Sequence, residues 1–144
     1  MALKIVVEPK TLERLNGGPI TGVIYFNFGD TKFPGGSWID FPGQLMSWWT
    51  REMLRVASAK NANGRFRFMD GCQEVHCRLT ARGVCELKGI ENGDNNFTRE
   101  VAISEVQQAL AKAADVLADI CQQHGWGAEA AEARTNAWQL RSPT

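Results

Sequence analysis

No apolar run in the 144-residue sequence approaches the ~18 residues needed to cross a bilayer, because charges interrupt even its richest segments. A membrane-spanning helix is thereby excluded and a soluble protein predicted. Charge of one sign is also lacking. Sixteen Lys and Arg balance sixteen Asp and Glu, so no overall field gathers nucleic acid, anionic lipid or a strongly charged partner from a distance. Histidine is scarce, at two residues, and the four cysteines stand in a chain with no export signal: the apolar run in "MALKIVVEPK" is too short for a secretory leader. These features predict reduced thiols and a cytoplasmic location. A phosphate cradle is missing as well. Gly17–Gly18 and Gly35–Gly36 have neither a following Lys-Ser/Thr nor a GxGxxG spacing between strand and helix.

What is present is apolar material. At 44% hydrophobic residues the chain can bury a core without disulfide or metal staples, and its length fits one domain, residues 1–144. "LKIVVEP" and "ITGVIYFNF" are rich in β-branched and aromatic residues and flank the turn residues "NGGP", which predicts two strands. Val23 and Tyr25 alternate with Ile24, Phe26 and Phe28, so both faces of the second strand are apolar and a central position follows. Leu45, Trp49, Met53 and Val56 recur at helical spacing, with Asp40 and Pro42 as start signals and an end near Ser58. Beyond the break "SAKNANG", the segments "RFRFMDG", "QEVHCRL", "VCELKGI" and "FTREVAI" alternate as a run of four strands. Ser104 and Gln107 form a capping-box pattern ahead of the stripe Val106, Leu110, Ala113, Leu117 and Ile120, which predicts a helix ending near Gly125. A shorter helix follows in "GAEAAEARTNAWQLR", with Trp138 as its expected anchor. The order gives an α+β fold: a mainly antiparallel sheet of about six strands, one helix after the second strand, and C-terminal helices packed on the sheet.

Each chemical reading competes with a plainer one. Cys72, His76 and Cys77, or Cys121 with His124, suggest zinc, yet strand alternation sends His76 and Cys77 to opposite sheet faces. No metal or other cofactor is expected, and with the cysteines directed inward no nucleophilic Cys–His pair. Asp30, Asp40 and Asp70 are flanked by aromatics, but Asp70 suits a turn in "MDGC" and Asp40 a helix start in "WIDFPG". No catalytic constellation emerges, and a non-enzymatic protein is expected. In "FPGGSWIDFPGQLMSWW", Trp38, Phe41 and Trp49 are read as core, since aromatics dominate small cores. The alternative is a small-ligand or minor catalytic pocket lined by Trp38, Asp40 and Trp48.

Arg65, Arg67, Arg78, Arg82 and Lys88 align with Glu74, Glu86 and His76 across neighbouring strands. Mixed signs argue against nucleic acid, which needs net positive charge to gain from counterion release, and are compatible with a protein partner. Arg65, Arg67, Glu74, His76 and Arg78 are the candidate protein-binding residues.

The run "YFNFGDTKFPGGSWIDFPGQLMSWW" followed by "FRFMDG" resembles small bacterial proteins, some of which look like immunity proteins paired with polymorphic or contact-dependent toxins. The resemblance covers the first half of the chain. It implies binding and blocking of a cognate toxin in the cytoplasm and carries no catalytic residues. A third reading is a structural subunit that self-associates through an exposed sheet edge or the C-terminal helix, and the sequence leaves the oligomeric state open.

Overall fold

The computed structural model describes residues 3–59, 62–80 and 83–142. Its N-terminal strands are β1 (Lys4–Val7), β2 (Glu13–Arg14), β3 (Ile20–Asn27), β4 (Lys32–Phe33) and β5 (Ile39–Asp40). They form one antiparallel sheet in which β3 pairs with each of the other four. The central position expected for this strand is confirmed: Val23 and Tyr25 on one face and Ile24 and Phe26 on the other are all buried. The turn before β3 uses Asn16 and Gly17, both at positive φ, as the "NGGP" chemistry requires.

Helix α1 (Pro42–Ala57) follows with Pro42 in its first turn. Leu45, Trp49, Met53 and Val56 are fully buried, so the predicted stripe is the helix's inner face. Asp40 does not cap it. Phe41 is the N-cap, and the Asp40 carboxylate accepts instead from the Phe41 N–H (2.8 Å), the Trp38 indole (2.8 Å) and the Met69 N–H (3.3 Å).

A second antiparallel sheet holds β6 (Asn63–Arg67), β7 (Gln73–Leu79), β8 (Val84–Glu91) and β9 (Asp94–Ala102) in chain order. All six predicted strands are present, divided between two sheets, with three two-residue strands added. Asp70 has its turn role: it accepts from the Cys72 N–H, and Gly71 adopts positive φ. β8 turns into β9 through Asn92 and Gly93, both at positive φ, so the last strand begins at Asp94 rather than at Phe97. Residues 60 and 61 of the predicted break between α1 and β6, and Arg82, lie outside the described residues.

Helix α2 (Ile103–Gln123) buries the predicted stripe and ends at positive-φ Gly125. Gly125 N–H bonds to Gln122 O and Trp126 N–H to Cys121 O, the paired bonds that close a helix on a left-handed glycine. The Ser104–Gln107 box is not formed. The helix begins two residues early, after Ala102 as N-cap, with no side-chain cap; Glu105 in the first turn accepts from the Leu3 N–H at 2.6 Å. Helix α3 (Gly127–Arg141) does not anchor through Trp138, which is 69% exposed. Its buried positions are Ala130, Ala133, Asn136, Ala137 and Leu140, and the three alanines let it lie close against the alanine-rich face of α2.

Helix α1 packs against β3 of one sheet, β6 and β7 of the other, and both remaining helices. Trp49 is the bridge between the sheets: its ring centroid lies 5.0 Å from that of Phe26 and 5.2 Å from that of Phe68. The hydrophobic core is thus continuous across both sheets.

Candidate functional site

Strand alternation puts Phe66, Val75, Cys77, Cys85 and Leu87 of the second sheet inward, all essentially inaccessible. The residues between them face outward. Register then sets them side by side: Arg65 opposite His76 opposite Lys88, Arg67 opposite Glu74, and Arg78 opposite Glu86. All five sequence-predicted binding residues, Arg65, Arg67, Glu74, His76 and Arg78, therefore share one outer face.

The outer edge of this face is finished by α1. An edge strand presents unpaired backbone groups that invite another strand. Along β6 these groups are taken by three side chains one helical turn apart: Trp49 donates to Arg67 O (2.8 Å), Glu52 accepts from the Arg65 N–H (2.9 Å), and Arg55 donates to Asn63 O (2.5 Å). The Arg55 guanidinium also pairs with Glu52 at 3.1 Å. Its hydrogen bond holds the Glu52 carboxyl below the usual range against a desolvation penalty, with the Arg65 N–H adding to the effect.

Two adjoining grooves, of about 460 and 360 Å³, share Glu52, Arg65 and Arg67 in their walls. Arg55, His76, Arg78, Glu86 and Lys88 are among the other residues of the first, and Trp48 and Arg51 complete the second. Most cations are tied to acids: Arg67 to Glu74 (3.8 Å), Arg78 to Glu86 (3.3 Å), Lys88 to Glu86 (3.7 Å), while His76 meets Glu74 at 2.7 Å. Arg51 and Arg65 are exposed, and their guanidinium groups have no carboxylate within 4.0 Å among the described residues. The face is net positive at α1 and β6 and turns acidic toward β9, where Glu100 stands opposite Glu86.

Reading the strands alone missed the helix's share of this face. Trp48, Arg51, Glu52 and Arg55 recur at three- and four-residue spacing, which marks them as one side of α1, yet nothing in the sequence says which sheet that side meets. Trp48 is accordingly displaced from the pocket expected around Trp38 and Asp40. Those two do meet, but as partners in a hydrogen bond that, with two backbone donors, occupies the buried carboxylate. Cys72 is exposed, against the inward expectation, because it sits in the turn before β7; Cys77, Cys85 and Cys121 are buried. Among the described residues no group of three or more His, Cys, Asp and Glu side chains converges as a metal-binding set. No helix among them is long and apolar enough to cross a membrane.

Compared with protein-family models, curated proteins and solved structures, the chain matches none.

Proposed function

We propose that this α+β protein is a non-enzymatic binding module that takes an acidic protein surface on the outer face of β6, β7 and β8. Following the sequence resemblance, we read the partner as a bacterial toxin that the protein neutralises by covering it. The observation that carries the proposal is the convergence of Arg51, Arg65, Arg67 and Arg78 with Trp48 around two joined grooves, with Arg51 and Arg65 left without acidic partners. Arginine and tryptophan are the residue types most enriched where interfaces concentrate their energy. The interleaved Glu52, Glu74 and Glu86 favour a patterned protein surface over a uniform phosphate chain, and they hold the arginines in place before encounter.

The test is titration of the partner, identified by affinity capture from the native host, against wild type and the Arg67→Glu/Arg78→Glu double variant. Both side chains are more than half exposed, so the change leaves the core intact. Affinity is expected to fall by at least about tenfold, more steeply at low salt, with little change in melting temperature. Equal affinity at an equal melting temperature would exclude this face. Tighter binding to nucleic acid than to any protein at physiological salt would replace the reading.

A further inference from the structure

A second recess shares no wall residue with the arginine grooves. It encloses about 390 Å³ where the start of β3, the start of α1, the last turns of α2 and the first turns of α3 meet. That volume is within the range of small-ligand pockets, roughly 300–1,000 Å³. Ile20, Phe41 and Leu117 give it an apolar body, and Gln44, Glu132 and Asn136 its main polar groups.

The hydrogen bonds there fix what a ligand must bring. Ser47 Oγ donates to Glu132 Oε1 at 2.5 Å, because a carboxylate only accepts. Having spent its single proton, Ser47 can only accept from Asn136, whose Nδ2 donates to it at 3.2 Å. The Asn136 amide is thereby oriented, and its Oδ1 takes no hydrogen bond from the described residues although the residue is only 8% exposed. Glu129, also in the wall, is already paired with Arg14. Glu132 has no cation within 4.0 Å among the described residues. The recess thus presents an exposed carboxylate without a cation and an unpartnered amide oxygen beside an apolar body, with Gln44 as a second amide in its wall.

We infer that this recess binds a primary ammonium group carried on an apolar stem, with the ammonium between Glu132 and Asn136 Oδ1 and the stem against Ile20, Phe41 and Leu117. The ammonium supplies three donors and a charge opposite to that of Glu132; an alcohol supplies one donor and no charge, and a carboxylate is repelled by Glu132. A free alkylamine and a lysine side chain of a partner chain share this chemistry.

Calorimetry and amide NMR with the full chain test it, using n-hexylamine, 1-hexanol, hexanoate and a short blocked peptide with one lysine as probes. Glu132→Gln removes the charge at an exposed position. Gly43→Phe is expected to crowd the recess from its wall: a Cβ at Gly43 meets nothing within 4 Å, and its φ is not in the left-handed region. Hexylamine is expected to bind wild type and to shift the Gly43 and Gln44 amides, with hexanol weaker by at least about tenfold and hexanoate silent. Each variant should weaken the amine by a similar factor. Tighter binding of the peptide than of hexylamine would assign a protein lysine, and the reverse a small amine. No amine binding, equal binding of amine and alcohol, or full affinity in either variant would overturn the inference. Should a variant melt early, wild-type Gly43 and Gln44 resonances that hexylamine leaves unmoved would overturn it equally.

Discussion

Trp49 and Trp138 show how little residue type alone says about a side chain's role. Trp49 is fully buried, with three phenylalanine rings within 6.4 Å and its indole N–H satisfied by Arg67 O, whereas Trp138 is 69% exposed. Truncating Trp49 removes its apolar burial, leaves a cavity between two sheets and strands a backbone carbonyl. Trp49→Ala is therefore expected to cost about 3–5 kcal/mol by urea unfolding, and Trp138→Ala to change stability by no more than about 0.5 kcal/mol. A loss under about 1 kcal/mol for Trp49→Ala would remove it from the core.

At the scale of elements, α1 serves as core helix and as cover for the β6 edge. Glu52 joins these duties, since it accepts from the Arg65 N–H and pairs with Arg55. Glu52→Ala is expected to destabilise by about 1–2 kcal/mol, a charge-assisted bond discounted for partial exposure, and Glu52→Gln by less because its amide oxygen still accepts from Arg65. The folded carboxyl titrates below its ordinary value of 4.5, so its contribution is present above that value and is lost as pH falls through the lower folded one. The stability gap between wild type and Glu52→Gln should therefore close in acid. A gap that persists at pH values well below the ordinary carboxylate range would assign the effect to packing instead.

For the whole molecule, the four thiols report on how the two sheets unfold. Cys72 is exposed; Cys77 and Cys85 lie inside the second sheet, and Cys121 is on α2 beside the first. Its hydrogen bond with Cys85, and burial after that, push the Cys77 thiol above its ordinary range; burial does the same for Cys121. A thiol reagent should label Cys72 alone in the native protein. The other three are expected to become reactive together, at one denaturant midpoint, because Trp49 and α1 make one core of the two sheets. Separate midpoints for the Cys77–Cys85 pair and Cys121 would show two independently unfolding units.

Periodicity by itself determined much of this protein. The buried stripes of α1 and α2, the two-faced apolar β3, and the outward placement of Arg65, Arg67, Glu74, His76 and Arg78 all follow from local alternation, since backbone geometry fixes which side chains share a face. The turn at Asp70–Gly71 and the stop at Gly125 were equally legible, because few residues other than glycine tolerate those conformations. Only the tertiary structure decided which faces meet. The sequence shows that Trp48, Arg51, Glu52 and Arg55 line one side of a helix, but their place beside the β6 arginines depends on α1 packing between two sheets. Asp40 is a hydrogen-bond hub rather than a cap because Met69 comes to it from a distant segment and joins the local donors Trp38 and Phe41. The recess at Glu132 and Asn136 has no local signature at all: its walls come from four elements, and long-range packing alone brings them together.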